Sequence, residues 1–408
     1  MRGRPAVQTT LHLYRTAYGG LSRSVWLLAA VMLVNRSGTM VIPFLSVYLT
    51  HELGFSVAQA GLVMAGFGLG AIVGAVLGGR LTDRLGYFPV MTGSLALGGL
   101  MFLVLGQMRT FPSLCGTIFV LSVVGEAFRP ALSASVASYA TPATLTRSYS
   151  LIRLTSNLGF SVGPALGGLL AALGYGWLFV ADGGTCLLAA GLLFVFLRKS
   201  ARSVVRATSE TPTIGGGGTA AWRDRYYLAF SAFGLLFAVA FCQLFTLMPV
   251  FLKQEYQFPE PRIGLWLAFN GFMVAAVEMI LIHTIEKRRS SLTWIRLGVA
   301  LTALSFVSLN LLAGWVPVVW LAVLLLTFGE MFAMPFMQAV SVTRATPEAR
   351  GQYAAVYSVL WSSAQVLAPT LGGQIAQWAG FTTLWWVMAA LGGVSWVGFG
   401  WLKERFRV

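Results

Sequence analysis

Long apolar runs, separated by short polar stretches, dominate the hydropathy pattern of this chain. A helix needs about 20 consecutive apolar residues to cross the hydrocarbon core of a bilayer. Twelve runs approach or exceed that length, and we number the predicted helices 1 to 12 in chain order: 24–50, 57–79, 88–108, 112–139, 147–173, 176–197, 225–252, 262–285, 291–312, 316–342, 350–378 and 381–402. The pattern therefore predicts an all-α membrane protein with twelve transmembrane helices.

The pattern also occurs twice. The first half contains Gly-Glu-Ala-Phe-Arg-Pro ending at Pro130 and Gly-Pro-Ala-Leu-Gly-Gly beginning at Gly163, and related segments end at Pro335 and begin at Ala368. Both spacings are 205 residues, close to half of the 408-residue chain. So long a period indicates duplication of the whole architecture rather than a short solenoid repeat. We therefore predict two pseudo-symmetric six-helix halves and a basic, Gly-rich cytoplasmic linker, at residues 1–197, 224–408 and 198–223.

Composition and charge indicate that lipid is the solvent. The chain is 57% hydrophobic and 10% charged, whereas a soluble protein carries about 25% charged residues. The net charge of +15 would suit nucleic acid, but the basic residues lie in the loops on one side, and only Arg109, Lys253 and Arg262 lie in loops on the other. Because basic loops stay in the cytoplasm and contact anionic lipid, we predict an inner-membrane protein with both termini cytoplasmic. We expect a monomer and no nucleic-acid partner.

Residues 79–86, between helices 2 and 3, carry a resemblance to a known family. They read Gly-Arg-Leu-Thr-Asp-Arg-Leu-Gly. With two sets of six helices around them, they resemble the cytoplasmic loop signature of the major facilitator superfamily. The resemblance implies a cytoplasmic latch in which Asp83 pairs with basic residues and a helix terminus, formed by Gly79, Asp83, Arg84 and Gly86. The chain departs from the signature at Tyr87-Phe88, where a basic pair is usual.

The chain resembles two different branches of that superfamily. Helix 5 resembles the Gly-x-x-x-Gly-Pro-x-x-Gly-Gly signature of the drug:proton antiporters through Gly159, Gly163, Pro164, Gly167 and Gly168. The chain is also similar to the proton-coupled oligopeptide symporters through Asn35-Arg36, Arg129-Pro130 and Gly329-Glu330. Those symporters carry Glu-x-x-Glu-Arg in helix 1, whereas Met32 and Asn35 occupy the glutamate positions here.

Small residues recur at every fourth position in three helices. The stripes are Gly70-Gly74-Gly78 in helix 2, Gly159-Gly163-Gly167 in helix 5 and Ala364-Ala368-Gly372 in helix 11. Residues four apart share a helix face, and small ones let another backbone approach closely. The stripes predict either tight packing alone or seams that slide when the two halves rock.

Four ionisable residues lie near the centres of predicted helices: Arg36, Glu126, Arg129 and Glu330. Each costs on the order of 3 kcal/mol to insert, so such residues usually face the bundle interior and mark a pathway. In the resembled family, helices 1, 4, 7 and 10 line a central cavity. The resemblance therefore implies that these four side chains surround a substrate site near the midplane.

Each of these residues has two interpretations. Glu126 shares a helix face with Arg129, and it is either a proton carrier or part of a fixed ion pair. Glu330 has no arginine within a turn of its helix, so it is either protonated in one state of a cycle or a satisfied buried group. Arg36 and Arg129 either hold an anionic substrate group or neutralise Glu126. Further substrate-binding candidates are Asn35, Tyr357 and Trp361.

Other polar and adaptable side chains receive mostly structural roles. We expect Arg153 to snorkel to the cytoplasm and Asp182 to cap or solvate the outer end of helix 6. Glu278 is either a packing glutamate or a relay partner of His283. Met331, Met334 and Met337 predict an adaptable apolar wall beside Glu330.

These features predict a secondary transporter that works by rocking alternating access, and not an enzyme. The leading hypothesis is proton-coupled export of amphipathic or drug-like small molecules through Glu126 and Glu330. The alternative is proton-coupled symport of a polar solute such as a small peptide. A non-transporting receptor or scaffold is disfavoured, because it has little reason to retain charges at the midplane. The sequence has no phosphate-binding Gly-x-x-x-x-Gly-Lys-Ser/Thr loop, and we predict no cofactor and no metal site.

Overall fold

The computed structural model describes residues 20–141, 144–205, 220–285, 288–344 and 350–406. The glycines of the predicted linker at 215–218 and the basic residues before residue 20 lie outside the described residues. Within them, ten helical stretches are long and apolar enough to cross a membrane. One of these, Ala355–Glu404, contains Gly380 with a φ of 79° and a ψ of 167°, which divides it into two helices. With the 26-residue helix Glu260–Ile285, the described part of the chain contains twelve long helices.

The helices follow the predicted order closely. We label them α1 (Arg23–Glu52), α2 (Val57–Leu85), α3 (Tyr87–Leu105), α4 (Phe111–Tyr139), α5 (Leu145–Leu173), α6 (Gly176–Val205), α7 (Arg225–Thr246 continued by Met248–Gln254), α8 (Glu260–Ile285), α9 (Ser291–Leu311), α10 (Pro317–Thr343), α11 (350–379) and α12 (381–406). Helix α6 extends into the predicted linker, and a short helix, Ala220–Arg223, precedes α7. The fold is thus the predicted all-α membrane fold.

Local sequence explains where several helices begin. Ser22 caps α1 by accepting a hydrogen bond from the Val25 N–H at 3.3 Å. Ser56 and Gln59 form a reciprocal capping box at the start of α2, with bonds of 3.1 and 3.0 Å. Asp224 caps α7 through the Tyr227 N–H at 3.1 Å. Serine and aspartate at these positions satisfy N–H groups that have no partner inside the helix.

Helices α1 and α4 are each broken near their middle. Helix α1 consists of Arg23–Ser37, Val41–Val47 and a final π-helical turn, with an interruption at residues 38–40. Helix α4 turns at Ala127, between Phe111–Glu126 and Phe128–Tyr139. Pro130 explains the second break, because a proline has no N–H for the carbonyl four residues earlier and its ring crowds that carbonyl. Both breaks lie where the charged side chains of these helices are found.

The fourfold-spaced small residues lie inside the halves and not between them. An added Cβ at Gly74 would collide with the Val123 carbonyl of α4, and one at Gly163 would lie 2.7 Å from the Thr39 carbonyl oxygen of α1. In α11, Gly372 packs on Gln243 of α7. The expectation that these stripes slide between rocking halves is therefore wrong, and they serve close packing within each half.

The two halves meet along α2 with α11 and α5 with α8. Gly61 of α2 lies against the carbonyl of Pro369, and Gly264 of α8 lies against the carbonyl of Pro164, so that an added Cβ would collide with either oxygen. Because Pro164 and Pro369 are equivalent positions of the duplication, both seams are built by the same motif. These contacts lie at the end where α2 and α8 begin. We call it the outer end, because its loops are the ones predicted outside, and the opposite end the inner end.

Candidate functional site

A cavity of about 410 Å³ lies between the two halves. Its four charged lining residues, Arg36, Glu126, Arg129 and Asp182, all belong to the first half. The second half contributes an uncharged wall formed by Phe241, Cys242, Phe245, Thr246, Trp361 and Gln365. The Arg129 side chain is 63% exposed, whereas the seams close the outer end. The charges thus lie on one wall only and face the uncharged aromatic wall of the second half, although the first half also supplies Phe67, Phe102, Phe128 and Phe160.

Glu126 and Arg129 form an ion pair on the wall of the cavity. The Glu126 Oε2 and Arg129 Nε atoms are 2.9 Å apart, and the Glu126 side chain is 19% exposed. The spacing of three residues places both on one face of α4, as predicted. This pair is compatible with both interpretations of Glu126, a proton carrier or part of a fixed ion pair. A partly exposed carboxylate beside one guanidinium can exchange partners.

Arg36 lies one turn before the break in α1 and lines the same cavity. It is half-buried, and the charges of Glu126, Arg129 and Asp182 act on it. No carboxylate among the described residues forms an ion pair with Arg36. A half-buried guanidinium without such a partner is available for an anionic or hydrogen-bond-accepting group of a ligand.

Asp182 is a site residue whose role the sequence analysis missed. It lies in the second turn of α6 from the outer end, near the expected position, but it is 3% exposed, so the expected role of capping or solvating helix 6 is wrong. Its Oδ2 atom accepts hydrogen bonds from the Met40 and Val41 N–H groups at 3.2 and 3.0 Å. It therefore caps the second segment of the neighbouring helix α1 instead of its own helix. The available signal was a carboxylate more than one turn inside an apolar run.

Asn35 and Trp361 line the cavity as predicted, and Tyr357 does not. The Asn35 side-chain amide donates to the Cys186 sulfur at 3.4 Å. The Trp361 ring meets Phe241 edge-on at 6.3 Å between centroids. Tyr357 lies behind it, 6.3 Å from Trp361 between ring centroids. Tyr357 thus supports the aromatic wall from outside the cavity lining.

Glu330 does not lie on the cavity wall, so its expected position is wrong. Its Oε2 atom accepts a hydrogen bond from the Asn270 side chain at 3.1 Å, and it faces α8. Its counterpart in the duplication is Gly125, which does line the cavity. The difference therefore lies in the placement of α10 and not in the position of Glu330 along it. A role of Glu330 in proton coupling stays a prediction.

The predicted methionine wall is also absent from the cavity. Met331 is 0% and Met337 is 1% exposed, within the hydrophobic core of the second half. Helix α10 contributes no residue to the cavity lining among the described residues. The apolar surface offered to a ligand therefore comes from aromatic residues of α7 and α11 and from apolar residues of the first half, among them Phe67, Phe102 and Phe160.

The predicted latch segment closes nothing in this conformation. Gly86, with a φ of 84°, ends α2 and allows the turn into α3. Asp83 and Arg84 are exposed, and Asp83 has no ion-pair partner in the part of the chain that the structure describes. The expected pairing of Asp83 is therefore not made here, where the contacts between halves concentrate at the outer end.

Arg153 and Glu278 form an ion pair between the two halves. Arg153 belongs to α5 and Glu278 to α8, and their side chains are 50% and 12% exposed. Arg153 therefore does not snorkel away from the protein as expected. The side chain of His283, the other member of the predicted relay, lies outside the described residues.

Comparison with known proteins agrees with this architecture. The Major Facilitator Superfamily model matches residues 25–369. The chain is 24% identical over 397 residues to a Na(+), Li(+), K(+)/H(+) antiporter of Planococcus maritimus, covering 88% of this chain and 90% of that protein. It is 22% identical over 386 residues to the class H tetracycline resistance protein of Pasteurella multocida, covering 91% and 94%.

The fold is also similar to solved structures. A POT family transporter in complex with 5-aminolevulinic acid superposes with a TM-score of 0.76 at 15% identity, over 95% of this chain and 96% of that chain. The nucleoside transporter NupG superposes with a TM-score of 0.76 at 15% identity, over 94% and 100%. Because the family model matches most of this chain, the chain belongs to the Major Facilitator Superfamily, a family of membrane transporters and not of enzymes.

Proposed function

We propose that this transporter exports amphipathic or drug-like small molecules in exchange for protons, by alternating access to the central cavity. The observation that carries the proposal is a cavity lined by aromatic side chains of both halves, in which the charged groups lie on one wall only. A volume of about 410 Å³ falls within the range of about 300–1,000 Å³ that small-molecule sites occupy. An amphipathic compound satisfies both walls at once, whereas a wholly polar or wholly apolar one leaves one wall unmatched.

Glu126 is the proposed point at which substrate and proton compete. Its carboxylate is partly exposed and has one ion-pair partner, Arg129, on its own helix. A cationic substrate group and a proton are alternative partners for this carboxylate. Binding one therefore disfavours the other, which is the requirement for antiport. Relatives named as a cation/proton antiporter and a tetracycline resistance protein support this direction, and Glu330 is the second proposed proton carrier.

The proposed cycle assigns a role to each end of the molecule. The halves 1–197 and 224–408 rock as units joined by the linker 198–223, and the helix 5 motif closes the outer end. Gly79, Asp83, Arg84 and Gly86 latch the inner end when the outer end opens. We propose that the protein is a monomer in the bacterial plasma membrane with both termini cytoplasmic.

The test uses purified protein in liposomes that contain a pH-sensitive dye. Lipophilic cations and dipeptides are offered as gradients, one compound at a time. Proton movement opposite to a lipophilic cation, lost in Glu126→Gln or Glu330→Gln, supports the proposal. The matched control is Glu404→Gln, which removes an exposed glutamate near the end of α12 and should transport like the unmodified protein. No proton movement with any compound would reject proton coupling.

Proton-coupled symport of a polar solute is the second candidate. Arg36 favours it, because this guanidinium faces the cavity without an ion-pair partner among the described residues. Together with Arg129, it presents two cations to a carboxylate such as that of a peptide. In the same liposomes, proton movement alongside a dipeptide, lost in Arg36→Gln, would replace export by symport as the function.

A further inference from the structure

The seam between α5 and α8 and its counterpart between α2 and α11 are built alike, but only the first is followed by an ion pair among the described residues. On α5 and α8, Gly168 meets Pro261 and Ser161 meets Gly271, and the ion pair of Arg153 with Glu278 follows about two turns further inward. On α2, Gly68, the counterpart of Gly271, meets Gln365 of α11.

The duplication does not repeat the ion pair between α5 and α8. Counting from the equivalent prolines 164 and 369, the counterpart of Arg153 is Ser358. Counting from the equivalent glycines 61 and 264, the counterpart of Glu278 is Ala75. Packing of the seam therefore requires no charge at these positions. The pair is a separate addition to one side of the molecule.

A third charged residue, Glu330, lies outside the substrate cavity and contacts α8 at Asn270, about two turns along that helix from Glu278. Helices α8 and α10 pack together, and Asn270 of α8 donates to both Glu330 and Thr327 of α10, at 3.1 and 3.0 Å. The charges of Glu278 and Arg153 act on Glu330. Among the described residues, no other charged group faces Glu278 or Glu330. One guanidinium and two carboxylates leave a net charge of −1 when all three are ionised.

Solvent reaches this unit in the observed conformation. Arg153 is 50% exposed and Glu278 is 12% exposed, and both lie on the inner side of the seam. Closing the inner end would bring α5 and α8 together there and remove that water. Burying an unbalanced charge is costly, whereas a unit with one added proton is neutral.

We propose that Arg153, Glu278 and Glu330 form one unit across the two halves that takes up a single proton when the inner end closes. Arg153 is a positioning residue of the first half, and Glu278 is a further proton-binding carboxylate beside Glu330. The inference rests on the proposed proton coupling and adds to Glu126 a proton site outside the substrate cavity. Tyr357, which lies behind Trp361 of the cavity wall at 6.3 Å between ring centroids, also feels the charge of Arg153.

The test measures conformation without substrate. Spin labels replace Leu173 and Trp378, which are 77% and 84% exposed at the outer ends of α5 and α11, in a full-length protein whose three cysteines are changed to serine. Their separation in nanodiscs is followed from pH 5 to pH 9. We expect it to lengthen at acid pH with the steepness of one proton, because protonation permits inner closure and outer opening.

The net charge of the unit predicts how each variant changes the pH dependence of the label distance. Glu278→Gln and Glu330→Gln each make the unit neutral without a proton, so the distance should lengthen and lose its pH dependence. Arg153→Gln leaves two unpaired carboxylates. The pH transition of the label distance should then approach the steepness of two protons and move to higher pH. Arg153→Gln combined with Glu278→Gln restores a net charge of −1, and one-proton behaviour should return. A purely structural pair predicts no such return.

Asp224→Asn is the matched control, because it breaks an inner-end ion pair with Arg344 that lies within one half. It should leave the pH midpoint unchanged. Unaltered pH profiles in Glu278→Gln and Arg153→Gln would overturn the inference even if the liposomes exchange protons normally. Conversely, liposomes without proton exchange would reject the proposed function, whereas the distance measurement still decides whether this unit binds a proton.

Discussion

At the scale of single residues, Asp182 connects the shape of α1 to the charged wall of the cavity. Its carboxylate holds the Met40 and Val41 N–H groups and acts on Arg36 from the other side of the break. Thr185, one turn further along α6, lies directly against Gly38 in the broken region. The position of Arg36 in the cavity therefore depends on α6 as well as on its own helix.

Substitutions of Asp182 should separate its cap from its charge. Asparagine retains an acceptor oxygen for the two N–H groups, whereas alanine leaves both buried donors unsatisfied at a cost of about 1–3 kcal/mol each. We expect Asp182→Ala to lower the unfolding temperature clearly more than Asp182→Asn does. Thermal unfolding in detergent measures this. Equal unfolding temperatures for the two variants would contradict the capping role.

The Asp224 cluster at the inner end of α7 predicts an acid-sensitive contribution to stability. Burial alone would raise the pKa of Asp224, but hydrogen bonds from Arg344 at 2.6 and 3.0 Å, from Tyr353 at 2.8 Å and from the Tyr227 N–H outweigh it and lower the pKa. The ionised form therefore stabilises the fold above the unfolded-state pKa of about 3.9. This contribution is lost as the pH falls through the lower folded-state pKa.

We expect Asp224→Asn to unfold at a lower temperature than the unmodified protein at neutral pH. The difference should shrink as the pH falls below about 4, because protonation then removes the same charge. Thermal unfolding across pH 3–7 measures both. The exposed Glu404→Gln control should show no comparable difference, and a gap for Asp224→Asn that stays constant down to pH 3 would count against this account.

Residue-scale prediction from the sequence succeeded where spacing alone places a side chain. Glu126 and Arg129 share a face at any orientation of α4, and Arg36 and Trp361 lie near helix centres that face the cavity. It failed for Glu330 because α10 contributes nothing to the lining among the described residues, and for Tyr357 because that ring lies one turn beyond Trp361, behind the lining. It missed Asp182 because this carboxylate caps a break in another helix.

At the scale of elements, adjacent glycines serve two different interfaces. Gly167 packs against Met40 of α1 within the first half, and Gly168 packs against Pro261 of α8 across the halves. In the duplicate, Gly372 packs on Gln243 within the second half, and Gly373 lies against Val57 of α2 across the halves. Consecutive residues point about 100° apart on a helix, so one Gly-Gly step lets a helix approach two partners.

Enlarging a glycine of the outer seam should open the outer end. Gly61→Ala and Gly264→Ala place a methyl group against the carbonyls of Pro369 and Pro164, and overpacking of this kind costs about 1–3 kcal/mol. We expect both variants to lengthen the distance between labels at Leu173 and Trp378 to a similar extent. The duplication makes the two contacts equivalent.

Gly93→Ala in α3 is the matched control, because a Cβ there meets nothing within 4 Å. It should leave the label distance unchanged. If both seam variants keep the short label distance of the unmodified protein, these contacts do not hold the halves together and the prediction is wrong.

At the scale of the whole molecule, contacts between the halves concentrate at one end. Tyr175 of the first half donates to Glu260 of the second at 2.8 Å, and Lys253 pairs with the same carboxylate at 2.7 Å. Gln377 accepts from the Val57 N–H at 3.1 Å. The described residues thus present a closed outer end above a cavity whose charged wall remains accessible from the other side.

Asp83→Asn should change the balance between conformations without changing this one. Asp83 is exposed and has no ion-pair partner here among the described residues, so its removal costs the observed state nothing. If it latches the inner end, the variant should have a smaller population with a long Leu173–Trp378 label distance at acid pH. Asp83→Asn populations identical to those of the unmodified protein would reject the latch.

Sequence alone determined the class and the layout of this protein. Lipid demands long apolar helices with every backbone group satisfied inside them, and the 205-residue duplication reveals two halves. Tertiary structure decided which seams join the halves, that Asp182 caps α1 and that Arg153 reaches Glu278. Those outcomes depend on helix rotation, on breaks and on which helix lies alongside which. Hydropathy records how deep a residue lies, but not the direction in which its side chain points.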